Sequence, residues 1–159
     1  MRIPTSGLKA FALASVLALL GACSGGQAPT QAQFVPPAPA VAELGGQLRA
    51  RYTLVPTLAL DQAMVRGYGI ERREGTALLL VALRHDQGDG NERGVEGEVR
   101  AQARDLSGRQ QQVAMRTLRS GDYVDHVGLV DIGPRDVIRV EVDAVVDGRS
   151  YRFDFQRNL

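Results

Sequence analysis

Cysteine occurs once in these 159 residues, lysine once and tryptophan not at all. A lone Cys23 excludes an intrachain disulfide, and two histidines, His85 and His126, are too few for the Cys and His sets that hold structural zinc. Charge of one sign is also missing, with 19 basic residues against 18 acidic. That balance argues against nucleic acid as a partner, because its recognition rests on a basic surface that neutralises phosphates. Lys9 is the single lysine, so arginine supplies every other cation. Arginine is the better bidentate partner for phosphate and carboxylate, but its use wherever a cation stands marks a compositional bias and not a site. No apolar run reaches the roughly 20 residues that a spanning helix needs.

What is present begins with a secretory pattern: Arg2 and Lys9, then apolar residues from Phe11 to Leu20, then small residues. Leu20, Gly21, Ala22 and Cys23 match a lipobox, in which an aliphatic and two small residues precede a cysteine that receives diacylglycerol. Cleavage before Cys23 frees an amine that takes a further acyl chain. At about 0.8 kcal/mol per buried CH₂, two or three chains anchor stably where one would be marginal. Ser24 stands where an aspartate would signal inner-membrane retention, which points to the outer membrane. The expected segments are a signal peptide over residues 1–22 and a lipidated, Pro/Ala/Gln-rich tether over 23–45. Such composition buries too little apolar area to offset the entropy of ordering. Removing Arg2 and Lys9 with the signal leaves 17 basic residues against 18 acidic.

Residues 46–159 have the length of one domain, and their periodicity is mostly two. Ile138, Val140, Val142, Ala144 and Val146 alternate with polar neighbours, as do Tyr151, Phe153 and Phe155. Asp147-Gly148 between the two runs favours the positive φ angles of a tight hairpin. Further strands are expected over 48–55, 76–83, 95–103, 110–118 and 123–130, the second of them apolar enough to be buried on both faces. These features predict an all-β domain, an immunoglobulin-like antiparallel β-sandwich of about seven strands with one short helix. A small β-barrel is the second choice.

The helix is expected over 62–68, capped by Asp61, stapled by Leu60 against Val65 and stopped at Gly69. The connection over 61–73 is long for a β scaffold, and it presents Arg66, Tyr68, Arg72 and Arg73, residue types enriched where interfaces concentrate energy. These four are the candidate partner-binding residues. The competing expectation is that the helix plugs an open end of the sandwich with Leu60, Met64 and Tyr68 while the arginines face water.

Tyr68-Gly69-Ile70 after a capped helix, the Leu-rich strand over 78–83, the segment from Ala103 to Arg109 at a hairpin and Gly121-Asp122 before the next strand carry a resemblance. The chain resembles DUF4426, a domain of unknown function found in proteobacterial envelope proteins, over roughly residues 48–157. The resemblance implies an exported β domain without an assigned reaction.

No catalytic constellation stands out. The 85–92 segment, which contains His85, Asp86, Asp89 and Glu92, has oxygen ligands but not the spacing of an EF-hand. It reads as a polar loop between strands. Asp125 and His126 are adjacent on a strand and therefore point to opposite faces. Glu96 and Glu98 read as a solvated strand side. The expectation is a non-catalytic module without metal or cofactor, anchored to the periplasmic face of the outer membrane, binding an envelope protein, a lipid or a polysaccharide. The alternative is a periplasmic enzyme or metal-binding protein that uses Asp125 and His126 or the 85–92 loop.

Overall fold

Residues 76–83 read Thr-Ala-Leu-Leu-Leu-Val-Ala-Leu, and a strand with no polar face must be covered on both. In the computed structural model, which describes residues 40–88 and 90–159, this run lies at the centre of a sheet and all eight residues are buried. The signal peptide, Leu20, Gly21, Ala22, Cys23 and most of the tether fall outside the described residues.

The strands in chain order are β1 (Ala40–Gly45), β2 (Leu48–Pro56), β3 (Thr76–Gly88), β4 (Asn91–Gly94), β5 (Glu98–Arg104), β6 (Gln110–Val113), β7 (Arg116–Ser120), β8 (Tyr123–Asp131), β9 (Val137–Val146) and β10 (Arg149–Asn158). Helix α1 (Gln62–Tyr68) and a preceding 3-10 turn (Thr57–Ala59) lie between β2 and β3. One sheet has the order β1-β2-β3-β8-β7 and the other β10-β9-β5-β6, all pairings antiparallel. β4 pairs with the far end of β3, so β8 and β4 follow each other along the same side of that strand. This is a β-sandwich with one short helix, as the alternation predicts, and not a closed barrel.

Three departures raise the strand count from about seven to ten. Residues 40–45, assigned by composition to the tether, form β1, in which Ala40, Ala42 and Leu44 are part-buried against β2. The 85–92 loop is instead a hairpin in which β3 runs on to Gly88 and returns as β4. The run over 110–118 is two strands, because the chain leaves one sheet at Val113 and enters the other at Arg116. Continuous alternation cannot reveal that crossing. Its trace is Gly128 in β8, where a Cβ would lie 2.5 Å from Val113 Cγ1 and 2.8 Å from Met115 Sδ. Only a glycine lets the crossover pass so close.

The sandwich interior takes Ala77, Leu79, Val81 and Leu83 from β3, with Val140, Val142 and Ala144 of β9 opposite. Leu78, Leu80 and Ala82 point the other way and form a second core with Val55, Leu60 and Val127. Helix α1 exists to cover that outer face, with Val65 and Tyr68 packed against it. It therefore lies on the sheet and not over an open end, and Met64, expected to plug that end, is exposed. Its ends match expectation: Asp61 accepts from Met64 N at 2.8 Å, and Gly69 takes the left-handed conformation while Ile70 N donates to Val65 O at 3.1 Å. Asp147 and Gly148 both have positive φ at the β9–β10 turn.

Replacing Gly128 with Ala should lower unfolding stability by about 1–3 kcal/mol, as overpacking does. Urea denaturation measures this, and an unchanged midpoint would contradict the close approach.

Candidate functional site

The segment that follows α1 does not cover all of the apolar outer face. A groove of about 490 Å³ remains, with Leu78, Val127 and Leu129 from β3 and β8 as its floor. Gly69, Ile70 and Glu71 line one wall, and Ala114, just before β7, and Arg116, its first residue, line the other. Leu129 is 42% exposed in the middle of a strand because nothing among the described residues covers it.

Two of the four candidate partner-binding residues are held by this wall. Arg73 lines the groove, its Nε donates to Thr76 Oγ1 at 3.1 Å, and its backbone N donates to Thr57 Oγ1 at 2.9 Å. Arg72 donates to the Leu58 carbonyl, which ties the connection back to the 3-10 turn. Tyr68 is half-buried in the second core, and that burial raises its phenol above its usual range; Asp125 adds to the shift and Arg84 opposes it. Arg66 is exposed on α1. The structure thus divides the four into packing, wall-building and exposed roles. It adds Arg116, whose guanidinium donates to the Tyr68 and Gly69 carbonyls at the C-terminal end of α1. A cation there also suits the negative end of the helix dipole.

Sequence reasoning missed Arg84 altogether. It is only 8% exposed, on the outer face where β3 changes partner from β8 to β4. Its Nη1 donates to the Leu83 and Val124 carbonyls at 3.1 and 2.9 Å, and its Nη2 meets Asp125 Oδ1 at 2.7 Å. Tyr123 places its ring 5.8 Å from the guanidinium. Arg84 fills the junction and gives the Val124 carbonyl a donor there, while the Leu83 carbonyl also accepts from Val95 N at 3.0 Å. The available signal was an arginine directly after eight apolar or β-branched residues, a costly place for a charge unless it is bonded.

The Asp125 and His126 pair does not form a site. Asp125 faces outward to Arg84, whereas His126 faces inward, 1% exposed, with Nδ1 3.1 Å from Thr117 Oγ1 and Nε2 buried without a partner. Burial lowers the imidazole's proton affinity, while the charges of Asp125 and Glu96 oppose that shift. The 85–92 segment is likewise committed elsewhere. Glu92 holds Arg51 at 2.6 Å, which keeps its carboxyl below the usual range, and Asp86 holds Arg49 at 2.9 Å. Glu96 and Glu98 are exposed, as expected of a solvated side, and Glu96 also makes a bidentate surface pair with Arg119 at 2.8 and 2.7 Å. Asp105, in the motif over 103–109, accepts from Ser107 Oγ and from Arg109, bonds that lower its carboxyl to about 2 and build a hairpin tip.

A two-sheet domain with a helix-covered outer face and a shallow groove defines a class of β-sandwich module. Within that class, the DUF4426 family profile, a domain of unknown function, matches residues 43–159, and the chain belongs to this family. A DUF4426 protein from Pseudomonas aeruginosa PAO1 has a similar structure, at 18% identity and a TM-score of 0.63 over 77% of this chain and 94% of that one. A copper-bound variant of FetP from uropathogenic Escherichia coli superposes at a TM-score of 0.50 and 10% identity, over 78% of this chain and 98% of that one. Both likenesses concern the fold. No curated protein matches the sequence.

Two outcomes test this geometry. Arg84→Ala, which strands Asp125 and the Val124 carbonyl, should cost about 3 kcal/mol in chemical denaturation; a variant as stable as the parent would contradict the junction role. His126 binds protons less readily folded than unfolded, so its contribution is complete above the unfolded value of about 6.5 and is lost as pH falls below it. The melting temperature should therefore decline from about pH 7 to about pH 5, and less steeply in His126→Gln. Parallel pH profiles for the two proteins would refute this assignment.

Proposed function

We propose that this chain is a lipid-anchored envelope module that binds a partner and does not catalyse a reaction. The observation that carries the reading is the groove beside α1, where Leu129 is left 42% exposed above the buried Leu78 and Val127, with Arg73 and Arg116 in the same lining. Recognition surfaces on rigid β scaffolds are commonly formed by long connections of this kind. The titratable groups that a hydrolytic or proton-transfer reaction would need point elsewhere: Asp125 and His126 lie on opposite faces, and Asp86 and Glu92 are bound by arginines. Copper belongs to the FetP structure. In this chain His85 is exposed on β3 where that strand pairs with β4, and His126 is buried, which supports no shared ligand set between them.

Leu20, Gly21, Ala22 and Cys23 support anchoring, and Ser24 supports the periplasmic face of the outer membrane as the location. The tether would then hold the groove clear of the lipid surface for an envelope partner.

Cys23→Ala should abolish labelling by a palmitate analogue and move the protein out of the membrane fraction; continued labelling would refute the anchor. A photocrosslinker placed at Leu129 of the lipidated protein should capture a partner from intact envelopes, and Arg73→Glu should remove it. Crosslinks that survive this change on a folded variant would rule out the groove.

A further inference from the structure

The second sheet ends on a strand that lacks the usual protections of an edge. β10 lies outermost beside β9, and no described strand pairs with its far side. Such edges invite another chain, and proteins blunt them by shortness, bulges, proline or repelling charge. β6 and β7 are four and five residues long, and β1 has a register shift between Glu43 and Gly45. β10 has ten residues, no proline and an unbroken register against β9.

The turn fixes which backbone groups of β10 are free. Asp147 and Gly148, both with positive φ, make a tight hairpin whose flanking residues, Val146 and Arg149, are a bonded pair. Bonded pairs alternate along the ladder, so Arg149, Tyr151, Phe153 and Phe155 spend their N–H and C=O groups on β9. Ser150, Arg152, Asp154 and Gln156 turn theirs to the open side.

The sequence of this edge is complementary to itself. Two copies related by a two-fold axis pair antiparallel, so that a contact made by one residue pair is made twice. With the axis at Phe153, Arg152 of each copy faces Asp154 of the other and Ser150 faces Gln156, all of them residues whose backbone groups are free. Moving the axis by one residue sets Arg152 against Arg152 or Asp154 against Asp154, and like charges directly opposite repel. The charges on this edge therefore select one register and do not bar pairing. On the inner side Phe153 meets its own copy and Tyr151 meets Phe155. Tyr151 and Phe153 are only part-buried in the single chain, and Phe153 and Phe155 already pack on Tyr52 with ring centroids 5.2 and 4.3 Å apart.

The same pairing mends a fault in the β9–β10 hairpin. Glu141 stands directly opposite Asp154, which places like charges side by side. Arg139 offsets this from one side at 2.9 Å. Arg152 of a second copy reaches Asp154 from the other, because it holds Asp143 through Nε at 2.6 Å and keeps its terminal nitrogens for a further acceptor.

We infer that this chain forms a two-fold homodimer in which β10 pairs with β10 of a second copy about Phe153, joining the two four-stranded sheets into one. This surface belongs to the other sheet from the groove and does not depend on what the groove binds.

The test reads the full lipidated chain in intact envelopes, with different affinity tags on two co-expressed copies. Cys23 is common to every variant, so a disulfide that appears only with Phe153→Cys reports position 153. That variant should link two copies, because facing residues at a non-bonded antiparallel position bring their Cα atoms to about 4.5 Å, within the span of a disulfide. Arg152→Cys and Asp154→Cys, though more exposed, should link far less. Arg152→Asp and Asp154→Arg should each lose self-pairing, whereas one against the other restores both contacts; the mixed pair should be recovered at least about tenfold above either variant with itself. Loss of folding cannot produce that recovery, so the exchange decides even where Phe153→Cys does not fold. No link at Phe153→Cys in a folded protein, equal linking at positions 152, 153 and 154, a mixed pair recovered no better than either variant with itself, or a link at position 153 to a different envelope protein in place of a second copy would overturn the inference.

Discussion

The domain depends on β3 being apolar on both faces. A strand of this kind must sit centrally, with β2 on one side and β8 on the other, and each face then demands its own cover. The second sheet covers one face and forms the main core. For the other, the chain between β2 and β3 leaves the sheet, folds into the 3-10 turn and α1, and lies back over Leu78, Leu80 and Ala82. A seven-residue helix has too few backbone bonds to be stable alone, so the apolar sheet face and the helix hold each other in place. The groove follows from the same constraint, because so short a helix covers only part of the face and leaves Leu129 open.

Arg84 marks the other consequence of a long central strand. β3 has 13 residues, more than β8 can pair, and β4 takes over along the same side. Between the two partners the ladder has a gap, bridged by Val95 N donating to Leu83 O at 3.0 Å and by the Arg84 guanidinium. A fork of fixed donors suits this place because it reaches two carbonyls and a carboxylate at once. The charge is tolerated because Asp125 balances it within the same structure.

Around these features arginine–carboxylate pairs cross between strands, Arg51 to Glu92, Arg139 to Asp154 and Arg152 to Asp143, and Arg119 of β7 reaches Glu96 in the connection between β4 and β5. Exposed pairs contribute little stability one by one.

The strands whose two faces differ in polarity were legible by eye. β9 and β10 with their Asp147-Gly148 turn, the double-sided burial of β3, the Asp61 and Gly69 caps of α1 and the opposite facing of Asp125 and His126 all follow from local periodicity and backbone preference, which act within a few residues. The sandwich class follows from the number and alternation of such strands. Tertiary structure alone decided that residues 110–118 divide between two sheets, that the 85–92 segment closes into a hairpin with its acids on Arg49 and Arg51, and that α1 lies on a sheet face. It also decided that the open surface joins Arg73 to Arg116 and Leu129, both of which lie more than 40 positions after Arg73 in the chain. Alternation records which way a side chain points relative to its own strand, but not which strand lies next to it; that pairing is set by the summed burial of distant segments, and the groove exists only after it is made.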